Sequence, residues 1–431
     1  MKNNYLGLLL VMLALFPFKN IAQTYNDGVF ILNEGNFGAG NASVSFLNDN
    51  GTLSNGIFTS ENPDLQVGDT AQSMAFNGEE IYIVANGSNR ITVVDRLTFA
   101  EIATIETGLN NPRYVAFDEQ SAYVTNWGDG TVTDDDFVAV IDRSTYQVTE
   151  TIPITEGPEE ILRSGNSLFV AHQGGFGYGN TISVIDLSDA NSISEIQTGD
   201  VPNSLEIDEN FLYVLCGGVP DFTGNPTAGK LQRFDLNDFS NVVEFDFEVS
   251  DGPNFLEVEN GIAYYVNSNS IFRVEFSSAS LPESPFVDTS GSGLVNTYGM
   301  DFIDDVFYVA DAKDFVADGE VFTFDASGNF QTSYAVGKLP ISVYRFNADN
   351  LSIDDNPALV NLSLYPNPAQ NRFYLTNAED ATVTIYDMNG RLVGDFTYSN
   401  SGIGISQLNA GIYVVNIKKD AGFATKKLII D

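Results

Sequence analysis

The 431-residue sequence holds one cysteine, Cys216, one histidine, His172, and one tryptophan, Trp127. A lone thiol forms no internal disulfide, so the fold stands without cross-links. A lone imidazole gives nucleophilic catalysis a single base, and no nucleophile-elbow motif accompanies it. Basic residues are scarce too: 19 Lys and Arg face 58 Asp and Glu, for a formal net charge of −39. Such a field repels nucleic acid and anionic membranes, and is compatible with cations, neutral ligands or plain solubility in salt. No apolar run approaches the roughly 20 residues of a membrane helix, so no transmembrane segment is predicted. Between residues 26 and 346 no long window carries helical periodicity, and the fold class expected is all-β.

What is present begins with a leader. Lys2 precedes a charge-free run from Leu6 to Phe18, and small Ala22 follows, which predicts a signal peptide over residues 1–23. No cysteine follows the run to carry a lipid anchor. The expectation is an extracellular or outer-surface protein that passes through the periplasm, and a monomer.

Residues 24–346 are built from one recurring unit. Opening strands are expected at Ala71 to Phe76, Pro112 to Phe117, Pro158 to Leu162, Pro202 to Ile207, Pro253 to Val258, Thr297 to Phe302 and Pro340 to Phe346, with starts 41 to 51 residues apart. Second strands are expected at Val29 to Asn33, Ile81 to Asn86, Ala122 to Asn126, Leu168 to His172, Leu212 to Cys216, Tyr264 to Asn267 and Phe307 to Asp311. Residues 26–60 lack an opening strand and residues 340–346 lack the others, so the two ends should complete one shared sheet and hide its edge. The expectation is a seven-bladed β-propeller closed by this clasp. Asp95, Asp142, Asp186, Asp235 and Asp325, which close most third strands, read as turn residues that accept backbone N–H groups two positions on, not as catalytic acids.

After Phe346 a polar stretch, residues 347–361, reads as a linker, and residues 362–431 as a small β-sandwich with an Asn389-Gly390 hairpin turn. This tail carries Tyr365-Pro366-Asn367-Pro368, Tyr386-Asp387 with Gly390-Arg391, Leu408 with Gly411 and Tyr413, and a basic-then-apolar end from Lys426 to Asp431. It resembles the type A C-terminal sorting domain of type IX secretion cargo. The resemblance implies type IX machinery as a partner, passage across the outer membrane, and cleavage of the tail.

In a propeller the loops after the second strands and those entering the opening strands share one face. The second strands end in Asn33, Asn86, Asn126, His172, Cys216, Asn267 and Asp311, a mostly short, polar set read here as a ring of donors and acceptors for a ligand. The same residues are also what a strand end tolerates structurally. The loops beyond carry Phe37, Trp127, Phe176, Tyr178, Phe222 and Phe315, suited to stacking on a flat ligand or anchoring a partner. Entries to the opening strands add Gln72, Arg113, Glu159, Asn203, Asn254 and Tyr298. Asp129, Asp134 and Asp136 cluster hard oxygen ligands for calcium, without EF-hand spacing.

The opening segment Phe30-Ile31-Leu32-Asn33-Glu34-Gly35-Asn36 and the repeated Tyr-Val-x-Asn and Val-Ile-Asp units resemble the YncE-like propellers, and among them the BtuG-type surface cobalamin-binding group. That resemblance implies a corrinoid, such as cobalamin, as ligand. The chain differs from the group in lacking a lipoprotein cysteine and carrying a sorting tail. The reading is therefore a secreted binding protein, not an enzyme. An adhesion or scaffold propeller for protein or glycan is the alternative, and an extracellular hydrolase or lyase the third.

Overall fold

The computed structural model describes residues 24–346, and 362–430 except 363, 377, 388–390, 400, 420 and 421. The expected leader, the whole of the linker and the Asn389-Gly390 turn lie outside the described residues.

Between Gly28 and Tyr344 the chain forms seven antiparallel sheets, six of four strands and one of three. The first strands are Ala71–Asn77, Pro112–Phe117, Pro158–Ser164, Pro202–Asp208, Asn254–Glu259, Thr297–Ile303 and Pro340–Tyr344. The second strands are Gly28–Asn33, Glu80–Ala85, Ser121–Asn126, Ser167–His172, Phe211–Cys216, Ile262–Asn267 and Val306–Asp311. Pro340–Tyr344 pairs with Gly28–Asn33, so the two ends of this region share a sheet, as the repeat count requires.

The second strands are apolar on both faces because each sheet is covered on both sides. Phe211–Cys216 is buried at five of its six positions. Seven apolar clusters lie between neighbouring sheets. Tyr82, Val84, Val115 and Val124 join the sheets that begin at Ala71 and Pro112. Tyr213, Leu215, Ala263 and Tyr265 join those that begin at Pro202 and Asn254. Val29 and Ile31 pack with Tyr308 and Ala310, while Phe30 and Leu32, on the opposite face, pack with Met74 and Ile83. At about 25 cal/mol per Å² of apolar area, these stacked interfaces are the main source of cohesion in a chain without cross-links.

The third-strand aspartates act as expected. Asp142 Oδ1 accepts the N–H groups of Ser144 and Thr145, each at 2.9 Å, and Asp186 Oδ1 that of Ser188 at 2.8 Å. Hydrogen bonds from Ser144 and Thr145 hold the Asp142 carboxyl below its ordinary range.

The sheet that begins at Asn254 departs from the repeat. It has three strands, and the segment after Glu275 pairs with its edge through one isolated β-bridge, Ile271 to Val287, and forms no fourth strand. Pro282 and Pro285 fall where a fourth strand would run, and proline cannot donate to a ladder. The tail forms two further sheets around its own core of Phe373, Val383, Ile385, Val415, Ile417 and Leu428, separate from the seven clusters above. Among the described residues no helix is long and apolar enough to cross a membrane.

Candidate functional site

In six of the seven sheets the loop that leaves the second strand is tied to the loop entering the first strand by one recurring bond. The residue after the second strand donates its N–H to the residue before the first, as from Asn86 to Thr70 at 3.0 Å, Trp127 to Asn111 at 3.1 Å, Gln173 to Gly157 at 3.0 Å, Gly217 to Val201 at 2.8 Å and Glu34 to Leu339 at 2.8 Å. These acceptors adopt left-handed backbone, with φ of 54° at Thr70, 55° at Asn111, 66° at Gly157, 60° at Val201 and 52° at Leu339. This junction brings both sets of loops to one face. A register shift just inside each first strand, as between Pro202 and Ser204, then re-aims the second residue of the strand.

These re-aimed residues meet. Gln72, Arg113, Glu159, Asn203, Asn254 and Tyr298 line one cavity of about 530 Å³, to whose wall all seven first strands contribute. Arg113 grips Glu159 with Nε 3.0 Å from Oε2 and Nη2 2.7 Å from Oε1. Asn203 Nδ2 donates to Asn254 Oδ1 at 2.7 Å, and the Tyr298 hydroxyl donates to Glu34 Oε2 at 2.6 Å. Above them sit the loop aromatics. The Arg113 guanidinium lies 4.1 Å from the Trp127 ring centroid, Phe176 packs edge-on to Trp127 at 6.1 Å, and Phe315 packs edge-on to Tyr298 at 5.7 Å. Phe37, Phe176 and Phe222 are 88%, 76% and 86% exposed, so none serves the core. Tyr178 is exposed on the Phe176 loop.

The strand-end ring is placed differently from the expectation. Asn33, Asn126, His172, Cys216 and Asp311 are fully buried. The reason is the junction itself. Asn126 Oδ1 accepts the Asn110 N–H at 2.9 Å, and the Asp311 carboxylate accepts those of Val295 and Asn296 at 3.1 and 2.8 Å, so each side chain holds the loop entering the first strand of its own sheet. Asn33 Nδ2 donates to Ser45 Oγ at 3.1 Å. His172 Nε2 lies 2.7 Å from Ser183 Oγ, and burial pushes its imidazole down to about 4, so the ring is neutral. Asn86 and Asn267 are half-buried within the same turns.

The calcium expectation is also corrected. Among the described residues no three His, Cys, Asp or Glu side chains are placed to hold a metal ion. Asp129 Oδ1 is taken by the N–H and hydroxyl of Thr131, Asp134 points to solvent, and Asp136 is buried, its Oδ1 accepting the Gly157 N–H at 3.2 Å.

The deeper wall of the cavity was not anticipated. Below the Arg113–Glu159 pair stand Glu160, Glu206, Glu257 and Asp301, with Tyr114 and Tyr344. Glu160 accepts the Leu205 N–H at 2.5 Å, and Asp301 accepts the Val343 N–H and the Ser342 hydroxyl, each at 2.8 Å. Burial, reinforced by Glu206, Glu159 and Asp301, pushes Glu160 up to about 8. Glu206, Glu257 and Asp301 are raised as well, chiefly by burial, and Glu206 and Glu257 also by their acidic neighbours. The signal was present in the sequence: acids recur at the fifth position of three successive first strands, where the other copies carry Ala, Leu or Tyr.

Residues 27–214 match a family model described as a domain of unknown function, DUF5074, and residues 363–431 match the secretion system C-terminal sorting domain. No curated protein matches the chain. Among solved structures it is similar to a functionally unknown protein from Desulfotomaculum acetoxidans, at 11% identity and TM-score 0.53 over 74% of this chain and 98% of that one. It is also similar to a quinonprotein alcohol dehydrogenase-like protein from Bacteroides thetaiotaomicron, at 12% identity and TM-score 0.52 over 74% and 78%. The extracellular domain of a one-component system protein from the same organism matches at 13% identity and TM-score 0.51, over 95% of this chain and 57% of that one. At such identities the likeness is one of fold alone, and the fold is propeller-like. The tail is a type IX sorting domain, and the protein it ends is secreted or carried to the outer surface.

Proposed function

We propose that residues 24–346 form a closed seven-bladed propeller of YncE-like kind that binds a ligand outside the cell, on the face where the loop aromatics surround the mouth of the axial cavity. Residues 1–23 are its leader, 347–361 a linker, and 362–431 the export address. The observation that supports this reading is the exposure of Phe37, Phe176 and Phe222 on the loops that follow the second strands, with Phe176 packed on the Trp127 that covers Arg113 in the polar cavity lining. Large apolar rings held in water beside a concave polar site are where binding energy concentrates. A corrinoid, the ligand the repeat motifs imply, is too large for the cavity and would lie across these rings.

The test is calorimetric titration of the chain with cyanocobalamin, repeated with Phe176→Ala and Phe37→Ala. Micromolar or tighter binding, weakened about tenfold by either substitution, supports corrinoid capture on this face. Absence of binding removes the corrinoid and leaves the face to another ligand.

A further inference from the structure

The axial cavity combines three features that no structural role requires together. Its deeper wall carries four carboxylates, and the charged groups acting on Glu257 are Glu206, Asp301 and Glu160, all acidic. Arg113 is the single basic side chain lining it, and its guanidinium is committed to Glu159 at 2.7 Å. At the mouth that same guanidinium lies over the Trp127 indole, so an aromatic surface there already receives one cation. The formal charge of −39 attracts cations to the molecule as a whole.

A metal ion does not suit the site, since no three of these acids converge on one point. Dispersed carboxylates around about 530 Å³, entered between aromatic rings, suit a larger and more diffuse charge. We propose that the cavity takes an organic cation, an alkylammonium or guanidinium group of the ligand, which enters past Trp127 and Tyr298 and is neutralised by Glu206, Glu257 and Asp301. This rests on the loop face being the binding face. All four acids take backbone N–H groups, Glu160 from Leu205, Asp301 from Val343, Glu206 from Ile207 and Glu257 from Phe302, and no basic side chain acts on Glu206 or Glu257. Near neutral pH the raised acids hold protons, which an entering cation displaces into solvent; Tyr114 and Tyr344 stay neutral throughout this range.

The experiment is titration of the full chain with benzyltrimethylammonium and with uncharged benzyl alcohol, at pH 6 and pH 9, in buffers of differing ionisation enthalpy. The cation should bind about tenfold more tightly at pH 9 than at pH 6, the equivalent of one pKa unit, and should release protons at pH 6 to 7. Benzyl alcohol should show neither effect. Glu206→Gln/Glu257→Gln, and separately Asp301→Asn, should weaken the cation about tenfold at pH 9 and flatten the pH dependence, with thermal melting reporting that each variant is folded. Equal affinity for both probes, no binding of the cation at millimolar concentration, or indifference to these substitutions overturns the proposal. Cyanocobalamin binding without cation binding would leave the loop-face reading standing and remove this one. Cation binding that Glu206→Gln/Glu257→Gln abolishes and Phe176→Ala leaves unchanged would support this proposal and remove Phe176 from the binding face.

Discussion

At the scale of single residues, the strand-end side chains show how a polar residue can look like a ligand contact and be part of the frame. Asn126 is fully buried, takes the Asn110 N–H and donates to the Val124 carbonyl at 2.8 Å. Asn126→Ala leaves both backbone groups unpaired in a dry site and should destabilise the protein by about 2 kcal/mol, read as a lower denaturant midpoint with unchanged slope. His172 fills the same place with a titratable ring. Its folded value near 4 lies below the ordinary 6.5, so the unfolded chain takes up a proton first as pH falls. Stability from the neutral ring is present above pH 6.5 and is lost between there and pH 4. The stability difference between the natural chain and His172→Asn should therefore shift by up to about 3 kcal/mol against the natural chain across that window, and urea unfolding at pH 7 and pH 4 measures it. An unchanged difference would place the imidazole in contact with water.

At the scale of elements, the junction between second and first strands is the repeating device of the fold, and it uses left-handed residues of unequal suitability. Asn111 and Gly157 accept that backbone readily, whereas Val201 and Thr70 are β-branched and strained there. Val201→Asn should raise stability by about 1 kcal/mol, and the reciprocal Asn111→Val should lower it by as much or more, both visible as shifts in melting temperature. If Val201→Asn is destabilising, packing of the half-buried valine outweighs the strain. These same elements were the legible part of the sequence. All seven first strands and all seven second strands fall within a few residues of where apolar runs bounded by Pro, Asn and Gly place them, and the pairing of Pro340–Tyr344 with Gly28–Asn33 follows from counting strands. The missing fourth strand beside Ser270–Glu275 was not read, because a spacing near 44 residues records chain length and not what the chain does with it. The site divided along the same line. Arg113, Asn203, Asn254 and Tyr298 were found because they open each unit at a fixed position. Glu206, Glu257 and Asp301 carry a weaker signal, an acid at the fifth position of three successive first strands, and among 58 acids that pattern alone does not separate a cavity wall from a solvated surface; Glu160 carries none.

At the scale of the whole molecule, the acid content acts in two places that respond differently to solution conditions. Most carboxylates are on the surface, where repulsion within a chain of formal charge −39 grows as they ionise and is screened by salt. The cavity acids are enclosed by the first strands and are screened far less. For Glu160 the folded value, about 8, is above that of the unfolded chain, and Glu206, Glu257 and Asp301 are shifted in the same direction. The folded state thus binds more protons than the unfolded one in this range. The stability that goes with this is complete below about pH 4, where both states are protonated, and is lost as pH rises toward and through 8. Surface aspartates such as Asp142 and Asp186, held below their ordinary range by hydrogen bonds, oppose this only at the acid end, where they become protonated. The melting temperature should accordingly be higher at pH 6 than at pH 9. Added sodium chloride should recover the part due to surface repulsion and leave the part due to the cavity. Glu206→Gln/Glu257→Gln should remove the share of that second part due to these two acids, giving a variant more stable than the natural chain at pH 9 and little changed at pH 6. A natural chain whose fall in melting temperature is abolished by salt alone would mean that the cavity carboxylates are as well solvated as those outside, and would take away the electrostatic reason for a cation to enter.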